Sequence, residues 1–86
     1  MPQIFYTSRF SKGRETLSSG IQKKILKTIL LFGNNPFHPS LRLHQLEGKF
    51  KGYWSISIDL RYRIIFRFLE NGDALFHSVG THAIYS

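Results

Sequence analysis

The apolar residues of this chain follow a helical period in its first half and a strand period in its second. Across residues 19–33 they recur every three or four positions, which predicts an amphipathic helix with lysines on its opposite side. Residues 8–17 predict a shorter helix with Ser8 as its N-cap, and Ser18-Ser19-Gly20 separates the two. The first half of the chain therefore predicts a helical hairpin.

From residue 49 onward the apolar residues alternate with polar ones, as in a strand. Residues 49–58 set Trp and Ile against Ser, and residues 61–69 set Tyr, Ile and Phe against Arg. Asn71-Gly72 indicates a type I′ hairpin turn into a further strand at 73–79. The β-branched and aromatic residues 2–7 predict a short first strand. Residues 34–48 contain two prolines and no sustained period, which predicts a loop with at most a helical turn.

These elements predict one α+β domain over residues 1–86, in the order β-α-α-β-β-β. The helical hairpin would pack on the apolar face of a mainly antiparallel four-stranded sheet, whose other face stays polar. A chain of 86 residues can bury one modest core.

The pairing of the strands follows from the requirement that each face stays uniform. A two-residue turn at 59–60 would set apolar against charged side chains, whereas a three-residue loop at 59–61 pairs Ile56 with Ile64 and Ser57 with Arg63. The same loop pairs Ile58 with Tyr62. The longer loop is therefore predicted.

The Asn71-Gly72 turn extends this pairing to the last strand. It sets Phe68 opposite Leu75, Ile64 opposite Val79, and Arg63 opposite Gly80, and it would carry His82 to a place opposite Arg61. We therefore expect the polar face to gather four residues at one end: Ser57, Arg61, Arg63 and His82. Arg67 and Phe76 would lie further along this face, and His77 on the core face as a structural residue.

The charge of the chain points to a polyanionic partner. Twelve Lys and Arg against five Asp and Glu give a net charge of +7, which favours nucleic acid over an anionic membrane or an acidic protein. The chain has no cysteine, no signal-peptide pattern and no apolar run long enough to span a membrane, so we expect a cytoplasmic protein without disulfides.

The predicted cluster suits the cleavage of RNA by attack of a ribose 2′-hydroxyl on its neighbouring phosphodiester. Arginines bind phosphate through a charged planar fork, a histidine moves protons, and Tyr53 or Tyr85 could stack on a base or donate a proton. This reaction needs no metal, and no cofactor is expected. We expect His38 to pack in its loop, and His44 either to order the loop or to act in catalysis.

Several segments together resemble the RelE/ParE superfamily of toxin–antitoxin toxins, and its YafQ-like branch in particular. They are Leu43-His44-Gln45-Leu46-Glu47-Gly48, residues 52–58, Tyr62-Arg63-Ile64-Ile65-Phe66, Gly80-Thr81-His82 and Tyr85. The resemblance runs from about Ile21 to the C-terminus. It implies a helical hairpin on a mainly antiparallel sheet, and a ribonuclease that cuts mRNA at the ribosome while a cognate antitoxin holds it inactive.

The resemblance also implies roles for individual residues. His82 and His44 would form the acid–base pair, Arg63 would stabilise charge on the phosphate, and Tyr85 matches a C-terminal aromatic position. The proposed RNA contacts are Arg61, Lys49, Lys51, Arg67 and Ser57.

The sequence departs from the family on one strand. The RelE branch has lysines where Ser55 and Ser57 stand, and YafQ-like members have a histidine at Ser57 and an aspartate near Arg61. Two alternatives therefore stay open: an inhibitor of DNA gyrase of the ParE kind, and a catalytically weak, basic RNA-binding domain.

Overall fold

The computed structural model describes residues 3–85 and has a five-stranded sheet with two helices on one face. The strands are β1 (Ile4–Tyr6), β2 (His44–Gln45), β3 (Trp54–Ser57), β4 (Arg63–Phe68) and β5 (Ala74–Gly80), and the helices are α1 (Ser8–Glu15) and α2 (Ser19–Asn34). The order across the sheet is β1-β5-β4-β3-β2, and the β1–β5 pair is parallel while the other pairs are antiparallel.

This architecture confirms the predicted α+β fold with one correction to the strand count. The sheet has five strands rather than four, because β2 forms within the segment predicted as a loop and pairs with β3. Three short 3₁₀ helices, Pro39–Leu41, Gly48–Phe50 and His82–Tyr85, complete the elements of residues 3–85. Over the same residues no helix has the length and apolar character to cross a bilayer.

The helix caps tie the hairpin to the sheet. The N-cap of α1 is Thr7 rather than the predicted Ser8, and its hydroxyl oxygen accepts a hydrogen bond from the amide of Phe10 at 3.0 Å. The same hydroxyl donates to the carbonyl of His77 on β5 at 2.6 Å, and this bond joins the start of α1 to the sheet. Ser18 caps α2 as predicted, accepting from the amide of Ile21.

The core lies between the hairpin and the apolar face of the sheet. Its buried side chains are Phe10, Ile25, Phe32, Leu41, Ile56, Ile64, Phe66, Ala74, Phe76 and Val79. The ring of Phe32 on α2 packs edge-on against Phe66 and Phe76, with centroids 5.0 and 5.3 Å apart. Such aromatic contacts anchor the long helix to the central strands.

The predicted register between β3 and β4 is confirmed. Ile56 lies opposite Ile64 and Ser57 opposite Arg63, and the amide of Ile58 donates to the carbonyl of Tyr62 at 2.9 Å. The loop therefore spans residues 59–61, and Ile65, opposite Ser55, is the apolar residue of β4 on the otherwise polar face.

The predicted type I′ turn at Asn71-Gly72 is wrong. The amide of Leu69 donates to the carbonyl of Asp73 and the amide of Gly72 donates to the carbonyl of Leu69, so three residues, 70–72, form the loop. Gly72 has φ of +88°, while Asn71 has no positive φ, which a type I′ turn would require. Consequently Phe68 lies opposite Ala74 and not opposite Leu75.

A β-bulge in β5 restores the predicted register further along. The pairing shifts between Ile65 and Phe66 of β4, beyond which Ile64 lies opposite Val79 and Arg63 opposite Gly80, as predicted. Between the loop and the bulge, the faces of β5 are the reverse of those predicted. Phe76 is fully buried in the core, and His77 lies on the polar face beside Tyr53, with ring centroids 5.3 Å apart.

The loop between β3 and β4 is held by Asp59. One carboxylate oxygen, Oδ1, accepts from the amides of Arg61 and Tyr62 at 2.9 and 2.8 Å, and Oδ2 accepts from the ammonium of Lys24 at 3.1 Å. Burial alone would raise the pKa of Asp59, but these hydrogen bonds and the charge of Lys24 outweigh it and hold the pKa below its ordinary value of 3.8.

We expect Asp59→Ala to lower the free energy of unfolding at neutral pH by about 1 to 2 kcal/mol, because two amides lose their acceptor. A carboxyl whose pKa is lowered by folding stabilises the fold above its ordinary pKa, and this contribution disappears as the pH falls through the lowered value. The difference between wild type and Asp59→Ala in urea unfolding should therefore shrink on acidification below 3.8.

Asp59→Asn is the matched control, since its amide oxygen can still accept from the two amides. It should lose less stability than Asp59→Ala, because the ion pair it removes involves the well-exposed Lys24 and is screened by solvent. Equal urea midpoints for wild type and Asp59→Ala at neutral pH would contradict this account of the loop.

Candidate active site

A cavity of about 630 Å³ lies on the polar face of the sheet, and we call it the first cavity. It is lined by residues from the segment before β2, β2, the loop between β2 and β3, β4, and the C-terminal 3₁₀ helix: Arg42, His44, Leu46, Glu47, Lys49, Phe50, Arg63, His82 and Tyr85. All four residues predicted as catalytic are in this set. The structure thus brings together side chains that are up to 41 positions apart, from His44 to Tyr85.

His44 reaches the first cavity from the edge strand β2. It lies directly opposite Ser55, so its side chain points to the polar face as that of Ser55 does. Its Nδ1 is 3.1 Å from the carbonyl oxygen of Arg42. A carbonyl only accepts hydrogen bonds, so Nδ1 carries the proton and donates, which leaves Nε2 of the neutral ring as a free acceptor.

The conformation of Arg42 makes this contact possible. Arg42 has φ of +50°, the one positive φ outside glycine in residues 3–85, and it follows the 3₁₀ helix Pro39–Leu41. This helix is capped by His38, whose Nδ1 accepts from the amide of Ser40 at 3.2 Å. His38 thus orders the loop that carries His44, in line with its expected role in loop packing.

His82 and Tyr85 lie on the last 3₁₀ helix, which folds back over the end of β5. Their rings are 5.4 Å apart, and the hydroxyl of Tyr85 is 2.9 Å from the hydroxyl of Ser55 in a hydrogen bond that either group could donate. Ser55 is fully buried. At a position where the RelE branch has a lysine, this chain therefore has a serine that fixes the tyrosine.

Gly80 allows the last helix to approach the sheet this closely. A Cβ atom at residue 80 would clash with Cγ2 of Ile84. Gly80 also lies opposite Arg63 on β4, so the same backbone position sets the distance between the helix and the arginine. The Gly-Thr-His segment thus has a steric reason for its first residue.

Arg63 lies on a central strand, and its side chain is half-buried. Ser57 is its neighbour on β3, and Gly80 its neighbour on β5. Since strands are about 4.8 Å apart, Arg63 is about two strand spacings from the strand of His44. Arg63, Arg42 and Lys49 make the lining of the first cavity cationic, because it contains only one carboxylate, that of Glu47.

Four of the predicted RNA contacts do not line the first cavity: Arg61, Lys51, Arg67 and Ser57. Arg61 is exposed in the loop, and β5 ends before His82, so these two are not opposite each other as predicted. Arg67 lies near the far end of β4, beside Leu69 and Glu70. Ser57 donates to the carbonyl of Asp59 at 2.7 Å and so serves the loop. Lys49 alone among the predicted RNA contacts is in the lining.

Sequence reasoning did not identify Arg42 and Phe50 as residues of the site. Arg42 comes from the segment predicted as a loop, where no period exists to assign a face, and Phe50 lies at the start of the strand predicted over 49–58, which begins only at Trp54. The only signal was the density of basic and aromatic residues in the segment between α2 and β3. Its 3₁₀ helices and the two-residue β2 are too short to leave a pattern in the sequence.

Comparisons with known proteins support this fold. The sequence profile of a family described as the RelE-like toxin of the type II toxin–antitoxin system HigB matches residues 17–82. The endoribonuclease HigB of Proteus vulgaris is 52% identical over 33 residues, which are 38% of this chain. The match spans about a third of that relative, 35% of its length.

Three solved structures have the same fold over nearly the whole chain. YafQ from Escherichia coli strain BL21(DE3) has a TM-score of 0.80 at 22% identity, over 99% of this chain and 98% of that one. The YoeB/ParE toxin from Agrobacterium tumefaciens has a TM-score of 0.77 at 20% identity, over 93% and 98%. YafQ in the E. coli DinJ–YafQ complex has a TM-score of 0.68 at 24% identity, over 98% and 97%.

The predicted relation to RelE-like toxins is confirmed by the profile, which covers most of the chain and every element from α2 to the histidine of the last helix. The structural matches confirm the fold independently of sequence identity. This chain belongs to the HigB-like family of RelE-like toxins of type II toxin–antitoxin systems.

Proposed function

We propose that this protein is the toxin of a type II toxin–antitoxin system and acts as an endoribonuclease that cuts mRNA on the ribosome, in the cytoplasm. The observation that carries the proposal is the first cavity, where two imidazoles, a guanidinium and an anchored phenol meet among cationic side chains. Proton-transfer groups and a cation are what cleavage of RNA by its own 2′-hydroxyl requires. The name of the Proteus vulgaris relative, an endoribonuclease, supports it.

Because Nε2 of His44 is free to accept a proton, we assign His44 to the attack of the 2′-hydroxyl and His82 to the departure of the 5′-oxygen. His44 Nε2 takes the proton of the ribose 2′-hydroxyl, since its Nδ1–H is held by the carbonyl of Arg42. The 2′-oxygen then attacks phosphorus, and the guanidinium of Arg63 stabilises the extra negative charge on the phosphoryl oxygens. His82 donates a proton to the 5′-oxygen as the P–O5′ bond breaks. The products are a 2′,3′-cyclic phosphate and a free 5′-hydroxyl.

Tyr85 has a positioning role in this scheme. Its hydroxyl is engaged with the buried Ser55, and its ring lies beside that of His82. A phenol fixed in this way orients the imidazole and offers a face to a base. Lys49 and Arg42 supply charge at the rim of the first cavity, where the phosphates of a bound strand would pass.

A cognate antitoxin is the proposed protein partner. Among the structural relatives, YafQ of E. coli is seen in a complex with DinJ, and YoeB of Staphylococcus aureus in a complex with YefM. The net charge of +7 favours an acidic partner on electrostatic grounds. Such a partner would compete with RNA for the same cationic surface.

Controlled expression without the antitoxin tests the proposal. Growth should stop. Purified protein should cleave mRNA in a reconstituted translation system and give 2′,3′-cyclic phosphate and 5′-hydroxyl ends. The same ends should form when the ribosomes have been washed before use. A single 2′-deoxy nucleotide at the cut should block cleavage there, because the attacking hydroxyl is gone. An unchanged cut at the deoxy position would exclude this mechanism.

The gyrase alternative gives the opposite result in the same cells. An inhibitor of the ParE kind would stop DNA supercoiling by gyrase and leave cellular RNA intact. A basic RNA-binding domain without catalysis would bind RNA with a steep dependence on salt and would neither stop growth nor cleave.

A further inference from the structure

A second cavity of about 490 Å³ lies next to the first one, across the last 3₁₀ helix. His82 and Tyr85 of this helix line the first cavity, whereas Ala83 and Ile84 line the second. Lys49 and Phe50 line both. A ligand that fills the first cavity can therefore continue into the second by crossing over these two shared side chains.

Two rings line the second cavity. Phe50 and His77 have centroids 6.3 Å apart at an interplanar angle of 73°. Tyr53, which is not in the lining, contacts both rings, at 6.0 Å from Phe50 and 5.3 Å from His77. The cluster is therefore supported from outside the cavity, and its rings are held in place for contact with a planar ligand.

The loop at 70–72 is the reason that His77 reaches this place. Because this loop is one residue longer than a two-residue turn, Phe76 lies on the core face, and strand alternation points the next residue, His77, to the polar face. Its Nδ1 is 3.1 Å from the hydroxyl of Ser78, which lines the second cavity as well. Burial lowers the pKa of His77 below its ordinary value, and the charge of Arg9 lowers it further, so both favour the neutral ring. A neutral imidazole offers one donor and one acceptor together with its flat face.

Arg9 adds a positive charge at the rim. It lies on α1, is exposed, and makes no ion pair with any acidic residue of segment 3–85. A cation at the mouth of a cavity with aromatic walls is the arrangement that single-stranded nucleic acids bind, with the base on the rings and the phosphate on the cation.

We propose that the second cavity binds the base of a nucleotide adjacent to the reacting one in single-stranded RNA, with Phe50 and His77 against the base and Arg9 near its phosphate. This site rests on the proposed function, and it adds a determinant of where the strand is cut. His77 acts here in substrate binding and takes no part in proton transfer.

The test uses short mRNAs on ribosomes in which one base at a time, next to the cut, is replaced by an abasic site. For the wild-type protein, one abasic position should lower kcat/KM by about tenfold, the effect expected when one stacking contact is lost. For His77→Ala the intact RNA should be cleaved about tenfold more slowly, and the abasic substitution should then have no further effect. His77→Phe should recover most of the rate, because it restores the stacking surface.

Phe37→Ala is the matched control, since Phe37 is an exposed aromatic residue that lines neither cavity. It should respond to the abasic position as the wild type does. The second cavity does not bind this base if the wild type cleaves abasic and intact RNA with equal kcat/KM, or if an abasic position still lowers kcat/KM about tenfold for His77→Ala. The proposed nuclease function would hold in either case. If the wild type cleaves no RNA at all, the proposed function itself fails.

Discussion

Replacement of His82 by alanine is expected to lower the rate of RNA cleavage by about 100- to 10,000-fold, the range for loss of a general acid. The leaving 5′-oxygen would then depart as an alkoxide without a proton donor. Because His82 is exposed on a short terminal helix, its loss removes little packing and the fold should persist. Cleavage of a defined mRNA in single-turnover reactions measures the effect, and cells that express the variant should keep growing.

The control for His82 is again Phe37, an exposed aromatic residue in a loop that does not line the first cavity. Phe37→Ala should retain activity within a small factor. Thermal unfolding of both variants checks that the fold is intact. Full toxicity of His82→Ala in a folded protein would remove His82 from the proposed mechanism and leave His44 without an acid partner.

Replacement of Arg63 by alanine should lower the cleavage rate by about 100- to 1,000-fold, as for removal of one group that stabilises the charge of a transition state. Arg63→Lys keeps the charge but loses the planar fork of donors, and should recover only part of the rate. Binding of an uncleavable 2′-deoxy RNA should weaken far less than the rate falls. That difference separates stabilisation of the transition state from simple attraction of the strand.

Arg67 is the matched control for Arg63, because both lie on β4 and their side chains share its polar face. Arg67 lies near the opposite end of the strand and does not line the first cavity. Arg67→Ala should change the rate by no more than about threefold, since salt screens a distant cation. If both variants lose the same fraction of the cleavage rate, the positive charge of the whole face matters and Arg63 has no specific role in catalysis.

The register around Arg63 could be predicted from the sequence because the faces of two adjacent strands constrain each other. Any slip by one residue would set the isoleucines of one strand against the arginines of the next. The pairs Ile56–Ile64 and Ser57–Arg63 follow from this rule and are present in the structure. The pair Arg63–Gly80 and the nearby place of His82 were predicted from the Asn71-Gly72 turn, and the pair is present because the bulge offsets the longer loop.

The faces of Phe76 and His77 could not be predicted, because two local deviations cancel between the ends of β5. The loop at 70–72 is one residue longer than the Asn-Gly signal indicates, and the bulge adds one residue back. The predicted pairing is therefore correct beyond the bulge, from Ile65 to Arg63 of β4, and wrong between the loop and the bulge. The burial of a phenylalanine on a crowded core face favours this arrangement over a strictly alternating strand.

The sequence by itself determined the helical hairpin, the α+β class, the antiparallel pairing and the place of Arg63 on the polar face. These follow from periodicity, which acts over a few neighbouring residues, whereas the role of His44 was implied only by the resemblance to RelE-like toxins. The tertiary structure decided the edge strand β2, the tautomer of His44, the anchoring of Tyr85 on Ser55 and the position of His77 in the second cavity. Each of these depends on contacts between segments that are distant along the chain, and no local pattern encodes them.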